Sequence, residues 1–217
     1  MIYMDKNIFL KSVFEKNNYR FTLLDSSNEL IPFIEGLVPQ NSTVSVGGSM
    51  TLFETGLIDH LRSGRYNFLD RYEPGVDTEE IFRKSFSADY YFASANALTE
   101  HGEVYMVDGH GNRVAATIYG PRNVVLICGR NKLVKNLREA IHREKTIATP
   151  RNCERLDKNS YCRFNGKCFK PDMDEEHLMS AWYCEDSICA NTVILGKQNR
   201  SMKDRIHIIL IDEDLGY

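Results

Sequence analysis

The chain has 217 residues, 42% of them hydrophobic and 11% aromatic, with a net charge of −3. That length and apolar content suit one globular domain, or one with an appendage, able to bury a real core. The acidic balance argues against nucleic acid as a partner. No apolar run is long enough for a membrane span, and the charge-studded first 25 residues do not read as a signal peptide. The expectation is a cytoplasmic protein with no membrane or nucleic-acid partner.

In chain order, residues 5 to 18 place Ile8, Phe9, Val13 and Phe14 at helical spacing, and residues 26 to 37 repeat the pattern with Leu30, Ile31, Ile34 and Leu37. A strand then climbs to Gly47. Residues 50 to 62 read as a helix through Leu52, Phe53, Leu57 and Leu61, and "YNFLDRY" as a strand. Asp77 and Glu80 have capping-box spacing for a helix through Ile81, Phe82 and Phe86. "DYYFASA", "GEVYMVD" and "RNVVLICG" read as strands, and "NKLVKNLREAIHRE" as an amphipathic helix. From about residue 150 to 200 the chain turns polar, irregular and Cys-rich, before "DRIHIILIDEDLGY" returns a final strand over 204–217. Strands alternating with helices, several apolar on both faces, predict an α/β fold with a mostly parallel open sheet and flanking helices.

Two stretches carry chemistry. In "VSVGGSMTLFE" a strand meets a helix through adjacent glycines. Gly47 and Gly48 would let backbone approach an anion, while Ser49 and Thr51 add hydroxyl donors near a helix start. A steric turn explains the glycines equally well, and neither a Walker loop nor a dinucleotide fingerprint is present. Glu54, one turn into the helix, faces the same loop and is a candidate carboxylate for chemistry. The second stretch, residues 93 to 121, sets small side chains beside Asn96, Thr99, Glu100, Asn112 and Arg113, a composition suited to close ligand approach. Two hairpin turns would account for "DGHGN" alone, and His101 and His110 read as exposed turn residues.

The order "VGGSxT…E", then "ANALTEHGEVYxVDGxGNRVAA", then "GPRNVVLICGRNKLVKN", with the ending "DRIHIILIDEDLGY", resembles the LUD (lactate-utilisation) domain family over roughly residues 5 to 217. The resemblance implies a fold like ribose-5-phosphate isomerase, glucosamine-6-phosphate deaminase and the CoA transferases. In those proteins the glycine loop cradles a sugar phosphate or cofactor. It places a small carboxylate or phosphorylated ligand between residues 47–54 and 96–113, in a protein acting in or beside oxidation of lactate to pyruvate. Iron–sulfur partner subunits and a homodimer are further implications. Methylthioribose-1-phosphate isomerase and the related initiation-factor regulatory subunits carry an Asp in a "GAD" at the end of the corresponding strand, where this chain has Ser94-Ala95-Asn96, so Asn96 suits binding but not that acid–base work. Two alternatives stand beside the lactate reading: a non-catalytic interaction or electron-transfer subunit bearing a metal or cluster on its thiolates, and a self-contained sugar-phosphate isomerase or CoA transferase. The enzyme would need a carboxylate, for which Glu54, Glu100 and Glu103 are available and Glu100 is the preferred general base.

Of six cysteines, Cys128 sits in an apolar strand and five fall in the last third. The family's short members end with four close cysteines. Cys162 and Cys168 keep the first spacing, while Cys184 and Cys189 are displaced by an insertion around "PDMDEEHLMSAW". These four are the candidate ligands for zinc or an iron–sulfur cluster, and free structural thiols are the competing reading. Cys153 lies outside that set. No flavin or nicotinamide fingerprint appears, so redox chemistry by this chain alone is not expected.

Overall fold

The computed structural model describes residues 6–170 and 184–217; the insertion, residues 171–182, lies outside them. Helix α1 (Lys6–Lys16) leads into β1 (Arg20–Leu24), α2 (Leu30–Leu37) and β2 (Thr43–Val46). Next come α3 (Met50–Glu54), α4 (Leu57–Leu61), β3 (Asn67–Leu69), α5 (Thr78–Ser85) and β4 (Tyr90–Ala93). The middle continues through β5 (Ala97–Thr99), β6 (Val104–Asp108), α6 (Asn112–Tyr119), β7 (Asn123–Gly129), β8 (Leu133–Val134) and α7 (Leu137–Arg143). The last stretch holds α8 (Thr149–Arg155), α9 (Tyr161–Asn165), β9 (Asn191–Leu195) and β10 (Ile206–Ile211).

Six strands form one sheet in the order β1-β10-β7-β4-β2-β3, and every pairing in it is parallel. Alternate side chains of the central strands go to opposite faces. Val124, Leu126, Ile208 and Leu210 pack with Leu10 and Phe14 on one side. Val125, Ile127, Ile209 and Ile211 pack with Leu30, Ile34 and Leu52 on the other. Burial on both faces is why these strands read as continuous apolar runs. Each such side chain contributes on the order of 2 kcal/mol. The fold is α/β, as expected, and β10 returns into the sheet between β1 and β7.

A second sheet, β8-β5-β6-β9, is mostly antiparallel. It accounts for several departures from the sequence reading. The helix expected over 131–144 is shortened, because Leu133 and Val134 pair with β5 and Asn136 caps a helix that begins only at Leu137, accepting from the Glu139 amide at 3.1 Å. The helix expected over 50–62 is split at Gly56, whose φ of +70° no regular helix accepts. Helix α6 replaces the hairpin reading of "DGHGN". The region after residue 150 is not wholly irregular, since it supplies α8, α9 and β9. No described helix is long and apolar enough to cross a membrane.

Candidate functional site

Strands β2, β4 and β7 are parallel, so their carboxyl ends open on one edge of the sheet, where ligands of such sheets gather. A polar cavity of about 30 Å³ lies there, lined by Gly48, Ser49, Ser94, Asn96, Arg113 and Lys132, with Tyr217 at its rim. Lys132 lies three residues beyond the end of β7 and is 2% exposed. Its ammonium donates to Thr51 Oγ1 at 2.8 Å and Ser94 Oγ at 2.9 Å. Arg113, at the start of α6, donates to Ser94 O at 2.7 Å, Asn96 Oδ1 at 3.0 Å and Val107 O at 2.5 Å. All of these acceptors are neutral, and neither cation forms an ion pair among the described residues.

Burial pulls Lys132 down to about 8, with Arg143 and Arg113 lowering it further against the pull of Cys128 and Glu54. The side chain is still mostly charged at neutral pH. A buried ammonium hydrogen-bonded to hydroxyls rather than to a carboxylate stabilises an anion that enters. Arg113 is fixed from below. The Asp108 carboxylate accepts from the Arg113 and Val114 amides at 2.8 and 3.1 Å, capping α6, which starts at a Gly111 with φ +84°.

The two glycines do different things. A Cβ on Gly47 would stand 2.8 Å from the Tyr91 hydroxyl and 2.9 Å from Arg113 Cγ. Its amide is already spent on Phe92 O at 2.8 Å. Gly47 is therefore the glycine that lets Arg113 lie against the sheet. Gly48 lines the cavity and has room, its nearest would-be neighbour being an Arg71 nitrogen at 3.7 Å. The loop amides do not form an open cradle: Ser49's backbone hydrogen-bonds Tyr72, and Gly216 packs over the Thr51 amide. Positive charge comes instead from the two side chains.

Of the residues the sequence singles out, the cavity brings together Gly48, Ser49, Asn96 and Arg113, with Gly47 and Thr51 directly behind them. Others lie elsewhere. Glu54 accepts the Gly216 amide at 2.5 Å and holds the chain's C-terminal segment. Glu100 pairs with Lys6 at 2.8 Å on the surface. Thr99 is bonded to Glu103 within the second sheet. Asn112 lines a separate broad groove with His110 and Phe82. Lys132 was not singled out; its signal is its position just past a strand's carboxyl end.

A second cavity, also about 30 Å³, lies behind the first. Cys153, Cys162, Cys168, Cys184 and Cys189 all line it, with Glu144 and Lys145. One hydrogen bond joins the two places: Asn96 Nδ2 donates to Glu144 Oε2 at 2.7 Å. Burial raises Glu144 to about 7 against the lowering effect of Asn96 and two arginines. The Cys153 and Cys162 sulfurs hydrogen-bond at 3.7 Å; the bond from Cys153 takes Cys162 down to about 6, and its counterpart pushes Cys153 up. Among the described residues no three side chains are closed around one ion-sized point, but the donor set is that of a soft metal.

The sequence profile of the LUD domain matches residues 10–211. The chain belongs to the LUD domain family. This LUD protein matches no curated protein. Among solved structures it is similar to a DUF162 family protein from Deinococcus radiodurans, at 10% identity and a TM-score of 0.49, over 96% of this chain and 98% of that one.

Proposed function

We propose that this LUD-family protein binds a small carboxylate or phosphorylated ligand at the carboxyl ends of β2, β4 and β7, and acts in or beside the oxidation of lactate to pyruvate. The observation that carries the binding half is Lys132, a buried ammonium with no ion pair among the described residues, beside Arg113 on the floor of one polar cavity. The lactate half rests on the family. A ligand places its anionic group against Lys132 and Arg113. At about 30 Å³ the cavity holds little more than that group, so the rest of the ligand projects past Gly48 and Tyr217.

No Asp or Glu lines this cavity among the described residues, which favours holding an anion over carboxylate-based isomerisation or CoA transfer. Iron–sulfur partner subunits would then carry the electrons that this chain has no fingerprint to handle. The test is thermal stabilisation of the purified chain by L-lactate, pyruvate, inorganic phosphate, sugar phosphates and coenzyme A. A ligand that binds only the folded state raises the melting temperature by mass action. We expect at least one of these to do so in wild type and not in Lys132→Met. Shifts of equal size in both proteins would refute the site.

A further inference from the structure

We infer that the cysteine-lined cavity is a binding site for a single thiophilic cation such as Zn²⁺, anchored by Cys153 and Cys162. Five of the six cysteines, spread from residue 153 to residue 189, converge on one cavity, while the sixth, Cys128, is buried in β7. Cys153 lies in α8 and Cys162 in α9, and their sulfurs stand 3.7 Å apart. That separation matches the sulfur–sulfur edge, about 3.8 Å, of a thiolate tetrahedron with metal–sulfur bonds of about 2.3 Å. The pair is therefore spaced to share one ion.

Cys168, Cys184 and Cys189 supply the remaining ligands from the same walls. Cys189 is held there by Thr149, its sulfur 3.4 Å from Oγ1, and Cys168 donates its amide to Lys145 O at 2.7 Å. Two sulfurs this close fit one shared ion rather than a cubane core, whose four thiolates each bind a different iron. Lys145, on the wall, offsets part of the negative charge of a thiolate set. An ion here would tie α8 and α9 to the segment that enters β9, which pairs with β6 at the edge of the second sheet. The two cavities are joined by the Asn96–Glu144 hydrogen bond but would take different ligands on different side chains, so either assignment can fail alone.

The full chain, purified anaerobically with reductant and stripped with chelator, is titrated with Zn²⁺ against a chromophoric chelator and, separately, with Co²⁺. We expect roughly one equivalent of either ion, and for Co²⁺ the intense visible bands and sulfur-to-metal charge transfer of a tetrahedral thiolate site. Cys153→Ser and Cys162→Ser should each weaken binding at least tenfold, with Cys128→Ser unchanged. The wild-type cobalt spectrum decides the matter even if a variant does not fold. Less than about 0.2 equivalents, weak octahedral bands, affinity unaltered in both variants, or several irons with labile sulfide per chain would each overturn the assignment.

Discussion

Lys132 Nζ and Thr51 Oγ1, 81 residues apart in the chain, meet at 2.8 Å beneath the glycine loop. This contact joins the end of β7 to α3 and places a charge whose hydrogen-bond partners among the described residues are neutral hydroxyls. The same Thr51 hydroxyl donates to Leu215 O at 3.3 Å, so the C-terminal residues are fastened over the same corner.

The Lys132 contact has a pH signature. Its folded-state value of about 8 lies below the ordinary 10.5, so the unfolded chain binds more protons between those limits and stability rises with pH across that window. Buried Tyr19, Tyr91 and Tyr105, all raised by burial, act in the opposite sense from about pH 10 upward. Urea unfolding between about pH 7.5 and 9.5 should therefore show wild type gaining more than about 1 kcal/mol relative to Lys132→Met. Parallel pH profiles would show that Lys132 titrates normally.

Gly47 and Gly48 should respond differently to a methyl group. Gly47→Ala drives a Cβ into Tyr91 and Arg113, and should cost about 1–3 kcal/mol of stability and weaken anion binding. Gly48→Ala, with its nearest neighbour at 3.7 Å, should stay within about 0.5 kcal/mol of wild type. Denaturant unfolding of both variants checks this; equal effects would dismiss the close approach at Gly47.

His207 makes the fold acid-sensitive. It is buried in β10, with Nε2 2.8 Å from Thr22 Oγ1 and Phe33 packed edge-on. Burial and the nearby Arg20 hold it down at about 4, against the raising effect of Asp204. The unfolded chain therefore takes up the proton first, and stability falls as pH drops from the ordinary 6.5 toward 4. The loss attributable to this residue is about 3 kcal/mol. His207→Gln should flatten the fall, read by chemical unfolding at pH 7 and 4.5; an unchanged slope would contradict it.

Arg205 holds the far end of α6, the helix that starts beside the anion cavity. Its guanidinium donates to the carbonyls of Ala116, Thr117 and Ile118 in the last turn of α6 and of Pro121 just beyond it; Ala116 O also accepts the Gly120 amide, whereas the final carbonyls of a helix have no intrahelical donor. Arg205→Leu removes all of these bonds and takes the donor from the Thr117 and Pro121 carbonyls, and should destabilise by roughly 2–4 kcal/mol in urea. A loss under about 0.5 kcal/mol would make Arg205 dispensable.

The central sheet was legible because β2, β4, β7 and β10 are buried on both faces and so appear as short, mainly apolar runs, broken only by Ser45 in β2 and His207 in β10. Helix α6 was not. Its buried residues are Val114, Ala116 and Thr117, too small and polar to mark a stripe, and its cap is Asp108, three residues before Gly111. Strand β9 was hidden because the partner that makes it a strand, β6, lies over 80 residues earlier. Half of the anion cavity could be read from the glycine loop and from "ANALTEHGEVYMVDGHGNRVAA". Lys132 could not, since a lysine in "GRNKLVKN" resembles any solvated lysine until Thr51 and Ser94 enclose it. Four of the thiols, Cys162, Cys168, Cys184 and Cys189, read as one candidate site, but Cys153 did not, since only the packing of α8 on α9 brings it against Cys162.

The most direct test is calorimetric titration, at pH 7.0 and low ionic strength, of wild type, Lys132→Met and Arg113→Gln with whichever ligand stabilises the wild-type fold. Saturable binding by wild type is predicted, at least tenfold weaker in each variant, and falling in wild type as pH passes about 8. Equal affinity in all three folded proteins would contradict the account.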